Sequence, residues 1–377
     1  MKVKHSKLAE VARLFFKLGC IAFGGPAAHI AMMEHEVVQK RRWIGKQHFL
    51  DLVGATNLIP GPNSTEMTMH CGYERAGIPG LFIAGACFIF PAVVISGLFA
   101  WLYANYGHLP SVEPFIFGIK PAVLAIIAAA ILKLGRKALK GWELGILGAL
   151  VLTASLAGFN EIIALLSAGV LGAFYFILKA KIAGRSYLFV PLLSIPVATQ
   201  SVLQLSALKV FWIFLKVGVV LYGSGYVLFA YLDSELVVKG LMSRQLLIDA
   251  VAVGQFTPGP VLSTATFIGY QLYGLGGAIA ATAGIFLPSF LLVLFLNPLI
   301  PKMRRSKPLG YFLDSVNIAA VAVMLSVLFQ MSRETLTDWR SIVIAGISVT
   351  VTFGLKKINT VWIVLGGAVM GYALKLI

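Results

Sequence analysis

Two Pro-Gly-Pro triplets, at residues 60–62 and 258–260, interrupt apolar stretches of the chain and are flanked by polar, uncharged side chains. Hydroxyl and amide groups can donate hydrogen bonds to an oxygen without bringing a charge that would trap a ligand. A helix that restarts after such a break also points free N–H groups, with a partial positive charge, at whatever lies there. The combination predicts a site for a tetrahedral oxyanion. The predicted lining residues are Asn57, Pro60, Gly61, Pro62, Asn63, Ser64 and Thr65 in the first stretch, and Gln255, Thr257, Pro258, Gly259, Pro260, Ser263 and Thr264 in the second.

Two further breaks precede the triplets, at Gly24-Gly25-Pro26 and at Gly223-Ser224-Gly225, and we expect these residues at the site as well. Opened backbone groups survive at membrane depth only where protein or water surrounds them, so four breaks predict one shared cavity. Four half-helix ends, at about +0.5 each, would offset a dianion without a dedicated counter-ion. The alternative is that each Pro or Gly only kinks a spanning helix.

Two charged residues stand in or beside the apolar runs. Lys120 precedes Pro121 in an otherwise uncharged stretch, and its counterpart in the repeat described below is Asn317. We expect both at the site, because cations inside a membrane usually face a partner or a pathway. The alternative for Lys120 is that its ammonium group reaches back to the membrane surface. Glu66, four residues after Pro62, is a candidate proton carrier, because a partly buried carboxyl group can exchange a proton.

Two acids recur at equivalent positions of the two halves: Glu36 corresponds to Glu235, and Asp51 corresponds to Asp249. We expect them to cap helices or to pair with basic residues nearby. The candidate partners are Arg41, Arg42, Lys46 and Arg244. Glu36 is retained as a second candidate for proton coupling.

The composition excludes a water-soluble enzyme. The 377 residues include 31 Lys and Arg and 15 Asp and Glu against 59% hydrophobic residues, and the mean hydropathy is +0.89. One water-facing fold cannot bury so much apolar surface, so lipid must be a second solvent. Nucleic-acid binding is excluded because the net charge of +16 is spread over short loops. No phosphate-binding loop, nucleophile elbow or metal-ligand spacing occurs, so no catalytic residue, cofactor or metal is expected.

Eight apolar runs have the length, or nearly the length, that a bilayer core of about 30 Å requires. The predicted spans are residues 82–101, 113–132, 142–156, 162–178, 276–296, 312–331, 342–355 and 361–376. The broken segments are residues 16–38, 49–73, 214–238 and 246–270. Each of their pieces is too short to span alone, so they are either re-entrant hairpins or full spans with a break.

The two halves of the chain are copies of one unit. FKLGCIAFGGP from Phe16 aligns without gaps on LKVGVVLYGSG from Leu215, at an offset of 199 residues. The Pro-Gly-Pro triplets follow at an offset of 198, and Pro91 matches Pro288 at 197. Matches in this order indicate a duplication. The predicted domains are a first repeat at residues 1–185, a connector at 186–208 and a second repeat at 209–377.

Lys and Arg residues in the loops predict the orientation. Residues 106–111 contain none, whereas the corresponding loop at 301–308 contains four. Residues 133–140 also contain four, against two basic and two acidic residues in 332–340. Corresponding loops therefore lie on opposite sides, which is typical of inverted repeats. We expect the N-terminus and residues 133–140 in the cytoplasm, residues 332–340 and the C-terminus outside, and a connector that crosses the membrane.

These features predict an all-α polytopic membrane protein. It contains two inverted-topology repeats, and each repeat has two Gly/Pro-broken segments, as half-helices or re-entrant hairpins, followed by about four transmembrane helices. The expected partners are the lipid bilayer and a small oxyanion. The fold is also compatible with a homodimer.

Four motifs, FGGP at residues 23–26, PGPN at 60–63, KPAV at 120–123 and PGP at 258–260, occur in an order that resembles the chromate ion transporter family in its long, two-domain form. The resemblance covers essentially the whole chain. It implies a bacterial or archaeal inner-membrane protein that exports chromate, a divalent tetrahedral oxyanion similar to sulfate, with the proton-motive force as energy source. The chain departs from the family pattern at Gly223-Ser224-Gly225, where the first half has Gly-Gly-Pro.

Three functions fit the sequence. The leading one is a secondary transporter that exports chromate by alternating access around a midplane site at the repeat interface. The same scaffold could carry sulfate or a related oxyanion, because sulfate has the same charge and shape. A channel-like anion pore is the third function.

Overall fold

The structure is a computed structural model that describes residues 2–23, 25–56, 59–107, 109–182, 205–222, 225, 227–296, 306–355 and 358–375. Within these ranges every regular element is a helix. The first repeat contains α1 (Lys2–Ile21), α2 (Pro26–Met33), α3 (Lys46–Thr56), α4 (Asn63–Tyr106), α5 (Glu113–Ala138), α6 (Trp142–Leu156) and α7 (Glu161–Ile182). The second repeat contains α8 (Ala207–Val220), α9 (Val227–Leu232), α10 (Arg244–Phe256), α11 (Thr264–Leu296), α12 (Lys307–Thr335), α13 (Trp339–Gly354) and α14 (Thr360–Lys375).

The order of elements is the same in both repeats, so α1 corresponds to α8 and α7 to α14. Even irregular features recur, because α2 and α9 each continue into a π-helical stretch, at Glu34–Lys40 and Asp233–Val237. One difference lies directly after the second triplet, where a 3₁₀ turn at Val261–Ser263 precedes α11.

The described helices are those of a membrane-spanning protein. Five of them, α4, α5, α7, α11 and α12, are long and apolar enough to cross a bilayer, and α6, α13 and α14 are apolar but have 15 or 16 residues. Each of the eight predicted spans falls on one of these eight helices to within one residue. The predicted all-α polytopic fold is confirmed.

Both long helices that follow the triplets turn back on themselves. Backbone angles leave the helical range at Ala76 and Gly77 in α4, and at Tyr273 and Gly274 in α11. The two arms of α4 touch at Gly72, where an added Cβ would lie 2.5 Å from Cβ of Ala84. Sequence analysis separated a broken segment ending at residue 73 from a span beginning at 82. The structure joins them through a close helical hairpin, which only glycine at the contact permits.

The two repeats are interleaved. Within each repeat the first helix packs along the long helix, α1 on α4 and α8 on α11. Between repeats, α4 packs on α11 and α5 on α12, while α5 also contacts α13 and α14, and α12 also contacts α6 and α7. Each of these contacts has its counterpart under exchange of the repeats, so a pseudo-twofold axis passes through the α4–α11 and α5–α12 contacts.

The equivalent helices α5 and α12 run in opposite directions. Lys140, just after α5, contacts Asp314 near the start of α12, with Nζ 2.6 Å from Oδ1. At the other end, Glu113 at the start of α5 lines the same cavity as Glu334 at the end of α12. The repeats therefore have inverted topology. The predicted crossing of the connector falls mostly on residues 183–204, outside the described residues, and stays a prediction.

The antiparallel arrangement can be tested by thiol labelling. With Cys20, Cys71 and Cys87 replaced by Ser, single cysteines are introduced as Lys137→Cys and Thr337→Cys, both at exposed positions. A membrane-impermeant maleimide should label Thr337→Cys in intact cells and Lys137→Cys only after permeabilisation, because basic loops stay in the cytoplasm. Leu109→Cys is the matched control and should behave like Thr337→Cys. Labelling of all three from one side would contradict the inverted topology.

Candidate functional site

The broken segments meet where the two repeats cross. The amide of Gly61 donates a hydrogen bond to the carbonyl oxygen of Leu221 at 2.6 Å, and the amide of Gly259 donates to that of Ala22 at 2.9 Å. The two bonds are equivalent, because the repeat matches Ala22 with Leu221 and Gly61 with Gly259. Each Pro-Gly-Pro turn thus satisfies a carbonyl left open where α1 or α8 ends in the other repeat.

The first triplet faces a buried cluster of polar groups, which we call the polar pocket. A Cβ on Gly61 would collide with Oε1 of Glu66 and lie 2.7 Å from Oγ of Ser289, so a carboxyl group of the first repeat and a hydroxyl group of the second converge over this glycine. Glu66 and Ser289 are fully buried. In the described part of the chain, both Glu66 oxygens, Ser289 Oγ and Thr65 Oγ1 lack a hydrogen-bond partner. Buried polar atoms without protein partners are rare and require an explanation such as a bound proton, water or ion.

The second triplet is tightly packed and has no polar group left without a partner among the contacts described next. A Cβ on Gly259 would meet Cβ of Ala92 at 3.1 Å, and Ala92 is the repeat counterpart of Ser289. Ser96 donates to Ser263 at 3.1 Å and also lies 3.4 Å from the hydroxyl of Thr257. Thr264, the counterpart of Glu66, donates back to the carbonyl of Val261 at 2.7 Å. The hydroxyl groups predicted to bind an oxyanion at this break are therefore engaged with one another or with the backbone.

Lys120 pairs with the second repeat. Its Nζ lies 3.5 Å from Oδ2 of Asp249, and that oxygen also accepts a hydrogen bond from the hydroxyl of Tyr103 at 2.7 Å. The Asp249 side chain is 5% exposed, and Oδ1 has no hydrogen-bond partner among the residues that the structure describes. The pair is not duplicated, because Asn317, the counterpart of Lys120, is neutral and lies half-buried on α12.

A cavity of about 220 Å³ reaches Lys120 from the face that carries residues 332–340. This volume would hold several water molecules. Charged, hydroxyl and apolar side chains line it: Glu113, Ile116, Phe117, Lys120, Gln245, Glu334, Thr335 and Thr337. Water and small ions can therefore reach the Lys120 side chain from one side of the protein, whereas the Glu66 side chain is fully buried.

The duplicated acids are held in ion pairs. Glu36 contacts Arg41 and lies 3.4 Å from Nζ of Lys17. Glu235 contacts Lys216 and Lys239. The pairs Lys17–Glu36 and Lys216–Glu235 occupy equivalent positions in the two repeats, which indicates a structural role for the acids. Glu66 has no such cation, so it is the stronger of the two proton-coupling candidates.

Arg244, one of the candidate partners of the duplicated acids, pairs with other acids. Its guanidinium group binds Asp233, at 2.7 Å from Oδ1, and Glu334. Asp249 instead reaches across to the other repeat, and its counterpart Asp51 receives a hydrogen bond from Gln47 at 3.4 Å. The sequence spacing favoured a local partner, but packing of α10 against α5 brings a distant one closer.

The remaining predicted site residues lie on the elements that form the crossing. Gly25 precedes α2 and Pro26 begins it; Pro60 and Pro62 flank Gly61; Asn63 and Ser64 begin α4; Gly225 packs near Val261; and Gln255, Pro258 and Pro260 are buried at the second break. Gly24, Asn57, Gly223 and Ser224 lie outside the described residues. Across the described ranges no cluster of three His, Cys, Asp or Glu side chains could hold a metal ion.

Sequence analysis missed three residues that the structure brings to the site: Ser289, Tyr103 and His29. Ser289 follows Pro288, and a comparison of repeats could have found it, because the residue after the matching Pro91 is Ala92. His29 bonds to Ser64, and its counterpart at the offset of 199 is Leu228. For Tyr103 no comparable signal exists, since only packing brings it to Asp249.

Two inverted helical repeats, with broken helices that meet at their interface, are an architecture found in many membrane transporters. The model of the chromate transporter family matches residues 9–173 and 208–372, one match for each repeat. The chain belongs to the chromate transporter family.

Similar proteins are found in bacteria. The chromate transport protein of Cupriavidus metallidurans is 29% identical over 372 residues, which cover 97% of this chain and 92% of that protein. The probable chromate transport protein of Synechococcus elongatus is 28% identical over 97% of this chain and 95% of its own. The uncharacterized transporter YwrB of Bacillus subtilis is 28% identical, and 95% of its length matches 48% of this chain. No solved structure matches the chain.

The two triplet glycines should respond differently to a side chain. Gly61 and Gly259 have φ angles of +140° and +87°, so Ala at either position costs about 1–3 kcal/mol of backbone strain. Gly61→Ala also displaces Glu66 and Ser289, so we expect it to abolish most chromate flux, whereas Gly259→Ala should mainly lower the melting temperature. Flux into proteoliposomes and thermal unfolding measure the two effects.

Gly346→Ala is the matched control for these variants, because Gly346 is exposed on α13 and an added Cβ meets nothing within 4 Å. It should leave flux and stability unchanged. Near-wild-type flux in Gly61→Ala, at matched abundance in the membrane, would contradict a functional role for the pocket over Gly61.

Variants of the Lys120–Asp249 pair can distinguish a role of Lys120 in stability from a role in chromate binding. Lys120→Met leaves a buried carboxylate unpaired and should cost about 3–5 kcal/mol of stability. The double variant Lys120→Met, Asp249→Asn removes both charges and should regain most of it. If Lys120 also holds the oxyanion, the double variant should fold but bind chromate at least about ten-fold more weakly. Wild-type chromate affinity in the folded double variant would remove Lys120 from the binding site.

Proposed function

We propose that the chain is a secondary transporter that exports chromate across the inner membrane by alternating access, with a proton bound at Glu66 as a coupling ion. The observation that carries the proposal is the partnerless carboxyl group of Glu66, buried at the crossing of two inverted repeats and facing Ser289 of the other repeat. The family match and the relatives named for chromate transport support the substrate.

Oxyanion recognition would rest on the half-helix starting after Pro62. The amides of Thr65 and Glu66 donate to the carbonyl of Pro62, so the partial positive charge of the helix N-terminus, and not a set of open N–H groups, would attract the anion. Thr65 and Ser289 add two hydroxyl groups that other described residues do not occupy. Lys120, reachable through the cavity that opens near residues 332–340, would be a station on the way to or from this site.

Charge balance determines what Glu66 can do. An ionised Glu66 would repel a dianion at close range, whereas a protonated Glu66 is neutral and can donate its O–H to an anion oxygen. The half-helix end after Pro62 contributes only about +0.5, so it can offset a dianion best when Glu66 is protonated and adds no further negative charge. The proton and the oxyanion therefore bind and leave together, and the protein returns to the inward-facing state with the site empty.

The membrane potential then favours export. A dianion with one proton carries one net negative charge, and moving it out of a cell whose interior is negative releases about 2.3 kcal/mol per 100 mV. Uptake of the same complex would have to work against that potential. The electrical part of the proton-motive force thus drives export without nucleotide hydrolysis, while the proton that leaves with the anion moves against the pH gradient, at a cost of about 1.4 kcal/mol per pH unit.

The two crossed hydrogen bonds suggest how access alternates. Gly61 and Gly259 tie each triplet to the other repeat at the pseudo-twofold axis, so a rocking motion about the axis can open one face while closing the other. With the N-terminus in the cytoplasm, the cavity near residues 332–340 would open outside. The Lys120–Asp249 pair spans the repeats on that side.

Purified protein in liposomes tests the proposal. With chromate inside and an inside-negative potential set by potassium and valinomycin, efflux should saturate with chromate and accelerate when the interior is acidified. Glu66→Gln keeps a hydrogen-bond donor but cannot release a proton, so its efflux should persist without the response to internal pH. Glu74→Gln is the control, because Glu74 is a partly exposed acid of α4 that pairs with His48.

Other outcomes would assign other functions. Efflux that accelerates with external acid would indicate proton antiport, and efflux that rises linearly with chromate would indicate a pore. A higher flux with sulfate than with chromate, measured as competition in the same liposomes, would make sulfate the substrate. An unchanged pH response in Glu66→Gln would remove Glu66 from the coupling step.

A further inference from the structure

His29 is buried at the crossing and connects both triplets. It lies on α2, three residues after Pro26, and is 2% exposed. Nδ1 is 3.2 Å from the hydroxyl oxygen of Ser64, two residues after the first triplet. Nε2 is 3.0 Å from the carbonyl oxygen of Ala22, which also accepts the amide of Gly259 from the second triplet.

The two contacts assign the protons of the neutral ring. A carbonyl oxygen can only accept, so Nε2 carries the hydrogen and donates it to Ala22. Nδ1 of the neutral ring is then an acceptor, and Ser64 must donate its hydroxyl hydrogen to it. In this state the hydroxyl hydrogen of Ser64 is committed to the histidine and is not available to an anion.

The repeat offers a natural comparison. At the offset of 199, His29 corresponds to Leu228, and at the offset of the triplets Ser64 corresponds to Leu262. Both members of the pair are therefore replaced by buried leucines in the second repeat. Since the second break holds together with leucines, the histidine–serine pair is not needed to build a break. It occurs only beside the break that carries Glu66.

We propose that His29 is a proton-linked switch that decides whether Ser64 donates a hydrogen bond to the oxyanion. When the ring takes up one proton at Nδ1, that nitrogen becomes a donor and Ser64 becomes its acceptor. The hydroxyl hydrogen of Ser64 is then free to turn toward an anion at the first break. The ring gains one positive charge at the same time, which also favours a dianion. His29 is a positioning residue, because it acts through Ser64.

None of the described hydrogen-bond or ring partners of His29 is a charged group, so the proposed switch depends on protonation of the imidazole ring. Its hydrogen-bond and ring partners are the Ser64 hydroxyl, the Ala22 carbonyl and the ring of Phe88, which lies edge-on at 5.6 Å between ring centroids. None of these carries a charge. The nearest titratable residue along α4 is Glu66, two positions after Ser64. The proposal rests on the oxyanion site proposed above, so its test must separate the two.

Chromate binding as a function of pH is the first measurement, made in the Glu66→Gln background so that Glu66 does not contribute. Because chromate itself takes up a proton in weak acid, the two variants are compared with each other at every pH. On acidification, Glu66→Gln should bind increasingly more tightly than Glu66→Gln, His29→Gln. Adding Ser64→Ala should weaken binding about ten-fold at acid pH, the loss expected for a hydrogen bond to a charged group, and much less at alkaline pH. His35→Gln is the control, because His35 is exposed and contacts Gln39 on the same segment.

Nitrogen-15 NMR of histidine-labelled protein in lipid is the second measurement and needs no ligand. The His29 signals, assigned by their loss in His29→Gln, should show a hydrogen on Nε2 and an acceptor Nδ1 at alkaline pH, with Nδ1 gaining a hydrogen on acidification. Ser64→Ala should shift the Nδ1 signal and leave His35 unchanged.

A hydrogen on Nδ1 at alkaline pH would overturn the switch. The same conclusion would follow if the ratio of the two variants' affinities did not change with pH, or if Ser64→Ala bound chromate like its parent at acid pH. Failure of the wild-type protein to bind chromate or sulfate at any pH would instead overturn the proposed function, and the switch with it. Normal wild-type binding with any of the first three results would refute the switch alone.

Discussion

The structure depends on a single constraint: a backbone broken at membrane depth must find its hydrogen bonds inside the protein. The chain meets this constraint across the pseudo-twofold axis. Gly61 donates to Leu221 and Gly259 donates to Ala22, so the donor that one repeat exposes satisfies the acceptor that the other exposes. Neither repeat can close its own break in this way. The helices show the same arrangement, because α5 of the first repeat packs on α13 and α14 of the second, and α12 of the second packs on α6 and α7 of the first.

The duplication preserves this backbone arrangement and lets the side chains diverge. Around Gly259 the neighbours are Ala92 and hydroxyl groups that bond to one another or to the backbone. The second break is therefore closely packed, and these hydroxyl groups are already hydrogen-bonded. Around Gly61 the neighbours are Glu66 and Ser289, whose polar atoms have no partner among the described residues. The two breaks thus divide their roles, since one maintains the crossing and the other provides the polar pocket.

Charged residues show the same division. The pairs Lys17–Glu36 and Lys216–Glu235 recur in both repeats, which is the behaviour of contacts that stabilise the fold. Lys120–Asp249 occurs once and joins the repeats beside a cavity. Burying a lone charge in this setting would be costly, so the pair is tolerable only because each partner neutralises the other. We therefore propose that function lies at contacts of this kind, which occur in one repeat only.

The sequence by itself determined the fold class, the eight spans, the duplication and the inverted orientation. These are properties of local hydropathy, of an offset between copies and of loop charge, none of which needs a contact to be known. It also located the four breaks, because Gly and Pro interrupt a helix through their own backbone properties and can be read directly from the sequence. Only the tertiary structure decided which break is polar, that Asp249 binds Lys120 rather than Arg244, and that Ser289 and His29 belong to the crossing. Those relations join residues 35 to 228 positions apart, and packing of the helices, not sequence spacing, sets their distances.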